Sequence, residues 1–262
     1  MYDFLIAGAG IFGAVFACEA GKKGKTCLVI DERGNIGGNL YCENIHGIET
    51  HQYGAHIFRT DDREIWEYLD SLGEMVSYRG DSQGYSYEGV PFSGYTRIIA
   101  RLLKDCNVYL NTEYEKFIKE RPDVAQTTLY TGRLDDFYEN CYGRLEYEKR
   151  KYRSRVLYQE YYQRRAVEDQ PEKNLRVTEH KHLTGTQMPL TVITEEIYGD
   201  GVKDGILCDL KETPENLERF RKYMDLASQE EHVLFGGRLS HEKKYTIAEA
   251  VRDARALAAE IV

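Results

Sequence analysis

Apolar residues at the start of the chain follow a pattern that predicts a strand, a helix and a second strand. Residues 4–7 form a short continuous apolar run, as in a strand that is buried on both faces. From Ile11 to about Lys22 the apolar residues recur at helical spacing, Gly24 ends that segment, and residues 27–30 form the next apolar run. Together these segments have the length of one βαβ unit, about 30 residues.

Later segments predict a second type of architecture. Two amphipathic stretches predict helices and two apolar runs predict strands: 65–72, 98–103, 108–110 and 127–130. Between residues 146 and 194, β-branched and aromatic residues alternate with charged ones, which is typical of antiparallel strands with one wet face. The chain closes with a strand at 233–235, two glycines and an apolar helical stripe from Ile247 to Ile261.

These patterns predict an α/β fold with a Rossmann-like domain and a second, antiparallel-sheet region. We expect the Rossmann-like domain to be discontinuous, formed by residues 1–135 and 228–262. The sheet-rich substrate-side region is expected at residues 136–227.

Composition and charge limit the kinds of partner. The 262 residues carry 44 acidic against 35 basic side chains, a net charge of −9, which argues against nucleic-acid binding. The six cysteines have no metal-ligand spacing, and His180 and His182 have no third ligand in the pattern, so we expect no metal site. No signal peptide is visible and no apolar run approaches the roughly 20 residues of a membrane span, so we expect a reduced, cytoplasmic protein without membrane association.

Glycines directly after the first predicted strand indicate a turn that binds a pyrophosphate. In the sequence GAGIFG at 8–13, Gly8 permits a tight turn, Gly10 lets backbone amides approach a pyrophosphate, and Gly13 lets the helix pack on the strand. Asp31 falls at the end of the second strand, where a carboxylate accepts hydrogen bonds from ribose and disfavours the 2′-phosphate of NADP. The alternative is that the glycines serve only as turns.

A second glycine pair, Gly37 and Gly38, follows Asp31 by six and seven residues. This spacing is typical of the FAD-binding, amine-oxidase-like class, so FAD is favoured over NAD. An ordinary loop remains the alternative explanation for the pair taken alone.

An ordered series of short motifs resembles the UDP-galactopyranose mutase family along most of the chain. The motifs are GAGIFG (8–13), NIGGN (35–39), YGAHIF (53–58), GVP (89–91), GYT (94–96), YTG (130–132), LEY (145–147), EHKH (179–182) and FGGRL (235–239). The resemblance implies an isomerase in cell-surface polysaccharide synthesis. In that family reduced FAD is the nucleophile that converts UDP-galactopyranose to the furanose without net redox change.

The resemblance also implies roles for individual residues. The adenine dinucleotide would be held by Gly8, Gly10, Phe12, Gly13, Asp31, Gly38 and Asn39. Gly54 and His56 would line the isoalloxazine, with Gly132 and Arg238 also bordering it. His56 is the candidate catalytic side chain, although the flavin itself is the nucleophile, and Arg176 would meet the substrate diphosphate. Without the resemblance, His56 would be interpreted as a buried histidine with its hydrogen bonds satisfied, and Arg176 as part of a solvent-exposed strand edge.

The chain departs from the family pattern at three places. The family's helical substrate domain is missing near residues 79–85, and no tyrosine occurs at 201–210, where the family has a diphosphate-binding segment. Residues are also deleted after Leu239, so that Tyr245 is the candidate for a lost substrate tyrosine. Three hypotheses stay open: a compact mutase completed by a homo-oligomer or companion subunit, a flavin oxidoreductase, and a nucleotide-binding relative without turnover.

Overall fold

The computed structural model describes residues 1–78, 80, 83–242 and 244–262, which form two compact units. The first unit comprises Met1–Gly38, Leu102–Glu148 and Cys208–Val262, and the second comprises Asn39–Arg101 and Lys149–Leu207. The division differs from the predicted domains, because residues 39–101 belong with the sheet-rich segment and not with the glycine motif. Residues 79, 81 and 82, at the predicted site of the missing domain, lie outside the described residues.

Strands alternate with helices along most of the chain. The strands are β1 (Tyr2–Ala7), β2 (Cys27–Ile30), β3 (Cys42–Ile45), β4 (Ile48–His51), β5 (Phe58–Thr60), β6 (Met75–Ser77), β7 (Tyr87–Pro91), β8 (Asn107–Tyr109), β9 (Ala125–Tyr130), β10 (Tyr147–Leu157), β11 (Val167–Gln170), β12 (Leu175–Glu179), β13 (Thr191–Ile197), β14 (Ile206–Leu210) and β15 (Val233–Phe235). The helices are α1 (Ile11–Lys22), α2 (Arg63–Leu72), α3 (Gly94–Leu102), α4 (Tyr114–Glu120), α5 (Leu134–Phe137), α6 (Lys181–Thr184), α7 (Pro214–Ala227) and α8 (Ile247–Ile261). Within the described ranges, none of these helices is long and apolar enough to cross a membrane.

The first unit is built on a parallel sheet in the order β15-β9-β1-β2-β8. Its central strand, β1, is buried on both faces, as the apolar run predicts, with Leu5 and Ile6 fully inaccessible. Helix α1 contacts helix α8, which begins with a capping box formed by Thr246 and Glu249. The predicted strand, helix and second strand at the start of the chain are confirmed as β1, α1 and β2.

Aromatic side chains cover the face of this sheet that points away from helix α1. Because strand residues alternate between faces, Leu5 and Ala7 point away from Ile6, which lies beside Gly13 of α1. On their side, Tyr130 packs against Tyr114, Phe137 and Phe235 with ring centroids 5.0 to 6.1 Å apart. This cluster anchors the ends of β9 and β15, next to the loops that carry Gly132 and Arg238.

The second unit consists mainly of antiparallel strands. Its largest sheet has the order β11-β12-β13-β10-β14, and β13 pairs antiparallel with both β10 and β12. In that register Ser154 lies opposite Thr194, and Arg176 lies opposite Glu196. A three-stranded sheet, β5-β7-β6, and the hairpin β3-β4 complete the unit. The predicted antiparallel sheet is therefore confirmed, although its unit also includes residues from the first hundred.

Candidate functional site

Gly8 and Gly13 bring strand β1 and helix α1 close together. Gly8 has a φ of +124°, which side-chain-bearing residues rarely adopt, and its N–H donates to the carbonyl oxygen of Ile30 at 2.8 Å. A Cβ atom on Gly8 would overlap the Thr131 hydroxyl, and one on Gly13 would overlap the carbonyl oxygen of Gly8. Both positions thus require glycine to keep the strand, the turn and the helix in their present places.

Gly10, between these two glycines, faces open space. It is the N-cap residue of α1 and provides no side-chain hydrogen bond to the helix. A Cβ atom built on Gly10 would have no heavy atom within 4 Å. The backbone amides of the first helical turn have no intrahelical acceptors, so an anion at this end would be stabilised by them and by the helix dipole.

The second glycine pair packs directly on the first glycine turn. The N–H of Gly37 donates to the carbonyl oxygen of Ala9 at 2.8 Å. Gly38 has a φ of +55°, and a Cβ atom there would lie 3.3 Å from the Cα atom of Gly10. The tertiary structure therefore brings together two glycine segments whose nearest members, Gly13 and Gly37, are 24 residues apart in sequence.

Asp31 supports the same turn from the end of β2. Its buried carboxylate accepts the backbone N–H of Ala9 at 2.8 Å through Oδ2 and that of Arg33 at 2.9 Å through Oδ1. Each carboxylate oxygen can accept a second hydrogen bond, so ribose hydroxyls can still be bound. The open Gly10 position, the uncapped helix and this carboxylate fit the phosphate and ribose groups of a dinucleotide.

The segment that carries Arg238 is fixed by contacts on both sides. The hydroxyl of Tyr147 donates to the carbonyl oxygen of Leu239 at 2.8 Å, and the Phe12 ring occupies the space that a Cβ atom on Gly236 would need. The Arg238 side chain donates from Nη2 to the Tyr245 carbonyl oxygen at 3.3 Å, and its Nε lies 3.6 Å from Oδ1 of Asp209. The LEY motif thus supports the FGGRL motif through Tyr147.

Gly132 lies in the loop after β9, directly beside the Tyr130 ring, which a Cβ atom at Gly132 would approach to 2.6 Å. The Thr131 hydroxyl between them donates to the Ala7 carbonyl oxygen at 2.8 Å. Because β9 pairs in parallel with β1, the carboxyl ends of both strands lie at one edge of the sheet. Gly132 therefore lies near the loop of Gly8, as its predicted role requires.

The Tyr245 hydroxyl is hydrogen-bonded within the first unit. The residue is 3% exposed, its hydroxyl donates to Asp253 Oδ2 at 2.8 Å, and its ring stacks on His241 with centroids 4.3 Å apart. Burial, followed by the hydrogen bond to Asp253, raises the pKa of the Tyr245 hydroxyl. The substrate role of Tyr245 stays a prediction, and it would require the hydroxyl to leave Asp253. Its backbone carbonyl instead accepts the Arg238 guanidinium.

In the second unit, two further histidines and a tyrosine lie around His56 of the YGAHIF segment. The ring of His51 lies 6.2 Å from that of His56, 5.8 Å from that of His180 and 5.6 Å from that of Tyr95, between centroids. The backbone of His56 donates its N–H to His51 Nδ1 at 3.1 Å and accepts the Tyr95 hydroxyl at 2.9 Å. His56 is half-buried, and its backbone is fixed by neighbouring side chains.

A second cluster in this unit is charged and centres on the buried carboxylate of Glu196. Arg150 donates to it, and Nη1 of Arg176 lies 3.7 Å from Oε1 of Glu196. Arg176 also donates from Nε to Asp169 Oδ1 at 2.7 Å, and about a third of its side chain is exposed. The predicted diphosphate ligand is therefore already paired with two carboxylates.

Gly54 approaches the same cluster. A Cβ atom on Gly54, whose φ is +85°, would lie 2.8 Å from Glu196 Oε2. Asn39 lies elsewhere in this unit, where its amide donates to the carbonyl oxygen of Leu207 at 3.0 Å.

The EHKH segment is not one strand with alternating histidines. Strand β12 ends at Glu179, and His182 belongs to the short helix α6. His180 lies between them and is fully buried, whereas His182 stacks on Tyr161 at 5.2 Å. No group of metal-ligating side chains occurs within the described part of the chain.

Sequence reasoning missed the residues that hold the predicted ones. His51, Asp209 and Glu196 each contact a predicted site residue, yet none lies in a recognisable spacing with it. His51 is the one for which a signal existed, because it lies two residues before the YGAHIF motif. The partners of Arg238 and Arg176 depend on strand register, which no local pattern specifies.

The parallel sheet, the glycine turn after its central strand and the glycine pair packed on that turn define a Rossmann-like dinucleotide-binding domain, whose fold is similar to that of the FAD-binding, amine-oxidase-like class. The sequence pattern of NAD(P)-binding Rossmann-like domains matches residues 6–72, and that of UDP-galactopyranose mutase matches residues 52–245. The chain belongs to the UDP-galactopyranose mutase family.

Individual relatives agree with this assignment. A Klebsiella pneumoniae protein named "Probable UDP-galactopyranose mutase" is 25% identical over 362 aligned positions that cover 96% of this chain and 94% of the relative. That alignment is longer than the chain, so segments of the relative have no counterpart here. The dTDP-fucopyranose mutase of Escherichia coli is 38% identical over 80 residues, 30% of this chain and 21% of its own.

Among solved structures, an engineered triple mutant of putrescine oxidase has a TM-score of 0.61 and 10% identity, covering 99% of this chain and 98% of its own. At this identity the likeness concerns the fold alone.

Proposed function

We propose that this chain binds FAD and interconverts UDP-galactopyranose and UDP-galactofuranose, with the flavin in its reduced form. One observation carries the proposal: the two glycine segments pack on each other and leave Gly10 open at the start of α1. Family membership supports the choice of reaction.

The first unit would bind the adenine dinucleotide. The backbone amides at Gly10 and the start of α1 would donate to the pyrophosphate, and Asp31 would accept the ribose hydroxyls. Phe12 would hold the loop of Arg238 in place through its packing on Gly236. By resemblance, Gly132 and Arg238 would border the flavin.

The second unit would contribute side chains by the same resemblance. Asn39 would bind the dinucleotide, and Gly54 and His56 would line the isoalloxazine. The bound, reduced flavin supplies a nucleophile for the anomeric carbon of the sugar and undergoes no net redox change. His56 is proposed to orient the ring system, since its backbone is held from both sides.

Arg176 is the proposed diphosphate ligand. A guanidinium presents a planar set of donors that matches phosphate oxygens. Its partner Asp169 is half-exposed, so the diphosphate would replace this carboxylate while buried Glu196 keeps the guanidinium in position. The UDP-sugar would therefore bind in competition with Asp169.

The decisive experiment is a conversion assay on protein whose FAD content has been measured by absorbance. With dithionite present we expect UDP-galactofuranose to become UDP-galactopyranose, and without reductant we expect little conversion. Conversion that is independent of reductant would contradict the reduced-flavin requirement. A colourless protein that takes up no added FAD would contradict the proposal as a whole.

A second candidate is an FAD-binding relative without mutase turnover. It is favoured by the missing counterparts of the longer Klebsiella relative and by the internal pairing of the Tyr245 hydroxyl. Tight FAD binding without conversion would select it, and consumption of NADH or oxygen would select a flavin oxidoreductase. Recovery of conversion on adding a companion protein, or only in a homo-oligomer, would show that the site is completed by another subunit.

The biological setting is part of the same proposal. We propose a cytoplasmic enzyme that supplies a furanose nucleotide sugar for cell-surface polysaccharide synthesis. Detection of the chain in a cytosolic fraction, together with loss of furanose from the surface polysaccharide in a deletion strain, would support this setting.

A further inference from the structure

Two side chains hold the backbone of His56, in the turn that also carries Gly54. His51, the last residue of β4, accepts the backbone N–H of His56 on Nδ1 at 3.1 Å. The Tyr95 hydroxyl donates to the carbonyl oxygen of His56 at 2.9 Å. His51 is 2% exposed and Tyr95 is fully buried, so solvent does not compete for either hydrogen bond.

His51 is in turn held by His180 through its backbone. The N–H of His51 donates to His180 Nδ1 at 3.3 Å, and His180 Nε2 lies 2.7 Å from the Thr194 hydroxyl. A ring nitrogen that accepts an N–H carries no proton, so each of these neutral imidazoles has its proton on Nε2. The hydrogen bonds therefore specify one tautomer for both rings.

We propose that His51 is a positioning residue for His56, and that His180 secures His51 by accepting its backbone N–H. The proposal rests on the proposed function, because His56 affects a reaction only if it borders the flavin. Its physical content is preorganisation: the backbone of the turn is held before the cofactor arrives, which reduces the ordering cost of binding. An aliphatic residue at position 51 could fill the same volume but could not accept the His56 N–H.

Two substitutions of His51 distinguish the effect of its hydrogen-bond acceptor from the effect of its side-chain volume. In His51→Asn the side-chain oxygen can take the place of Nδ1 as acceptor, whereas His51→Leu retains bulk and loses the acceptor. The matched control is His182→Leu, because the ring of His182 stacks on Tyr161 and its Nε2 faces Gln163 and Glu179. Tyr95→Phe, a milder change, removes the bond to the other side of His56 and keeps the buried ring.

The first measurement uses the chain without cofactor and follows hydrogen exchange at the His56 amide. We expect His51→Leu to exchange roughly five- to tenfold faster than the wild type, the effect of losing one hydrogen bond. His51→Asn and His182→Leu should stay within about twofold of the wild type. The proposal would be overturned if the His56 amide exchanged at the same rate in His51→Leu as in the wild type. It would also be overturned if His51→Asn accelerated this exchange as much as His51→Leu.

A measurement on the wild type needs no variant. Nitrogen-15 NMR of the imidazoles should show the Nε2–H tautomer for His51 and His180 at neutral pH. A proton on Nδ1 of either ring would overturn the proposed arrangement, even if His51→Leu failed to fold.

The second measurement concerns bound FAD. His51→Leu should raise the Kd for FAD about tenfold and alter the flavin absorbance band, and His51→Asn should restore both toward the wild type. Unchanged affinity and spectrum in His51→Leu would overturn the link to the cofactor. If the wild type binds no FAD, the proposed function fails, whereas the amide exchange still decides whether His51 positions the turn.

Discussion

Gly38 lies against Gly10 so closely that a Cβ atom on Gly38 would be 3.3 Å from the Cα atom of Gly10. The contact joins the loop after β2 to the turn after β1, and the N–H of Gly37 bonds the Ala9 carbonyl beside it. Two glycine motifs that look independent in sequence therefore form one surface. Gly10 is the part of that surface left open for a ligand.

Substitution of Gly10 by serine should separate folding from cofactor binding. The new hydroxyl can cap the first turn of α1, so we expect the free energy of unfolding of the apo protein to change by only a few tenths of a kcal/mol. In the same space it would compete with a pyrophosphate, and we expect the Kd for FAD to rise at least about tenfold, measured by fluorescence titration.

The control for Gly10→Ser is Gly21→Ala, in the same helix. A Cβ atom at Gly21 meets nothing within 4 Å, and the change should stabilise the protein by up to about 1 kcal/mol without affecting FAD. Unaltered FAD affinity in Gly10→Ser would count against the pyrophosphate assignment.

Acid should destabilise the fold through the two buried histidines. Burial lowers the pKa of His51 to about 4 and also lowers that of His180. Unfolded histidines bind protons near pH 6.5, so this contribution to stability is complete above that pH and is lost as the pH falls toward the folded pKa. Between pH 6.5 and its folded-state pKa, each histidine lowers the free energy of unfolding by about 1.4 kcal/mol for every pH unit of acidification.

Urea unfolding of the apo protein at pH 7.5, 6.0 and 5.0 measures this loss. His51→Asn should show a shallower decline with falling pH than the wild type, because one of the two groups is gone. A wild-type stability that does not change between pH 6.0 and 5.0 would contradict the prediction.

Substitutions at Asp169 and Arg176 should change substrate affinity in opposite directions. Asp169→Asn removes the exposed competitor of Arg176, so we expect UDP to bind roughly two- to fivefold more tightly by calorimetry. Arg176→Gln removes the proposed diphosphate ligand and should weaken binding about tenfold or more.

The two variants serve as each other's control, because Glu196 and the sheet register are kept in both. A loss of affinity in Asp169→Asn would indicate that the ion pair positions Arg176 and does not compete with the substrate. No change in Arg176→Gln would remove Arg176 from the substrate site.

Tyr245→Phe should affect stability and leave substrate binding unaltered. The hydroxyl donates to Asp253 inside the first unit, so its loss should cost about 1 kcal/mol in chemical denaturation. The KM for the UDP-sugar should match that of the wild type. A raised KM at unchanged stability would restore the substrate role that the sequence suggested.

The sequence alone predicted the elements of the first unit well. The predicted spans of α1, β2 and α8 coincide with the observed ones, because buried apolar runs, helical stripes and flanking glycines are local signals. The roles of Gly8, Gly10 and Gly13 also follow from local geometry. The predicted bounds place residues 39–101 with the glycine motif, whereas the compact units group them with the sheet-rich segment, because these residues carry no local mark of the strands with which they pack.

What only the tertiary structure decided is how distant side chains pair. Sequence placed Arg176 and Arg238 near a substrate or cofactor, but strand register and loop packing gave them Asp169, Glu196 and Asp209 as partners. Likewise the motif around His56 was visible, whereas the acceptor on His51 and its support by His180 were not. Local patterns record periodicity and turn chemistry. The pairing of a buried donor with its acceptor is settled only when the strands are in register and water is excluded.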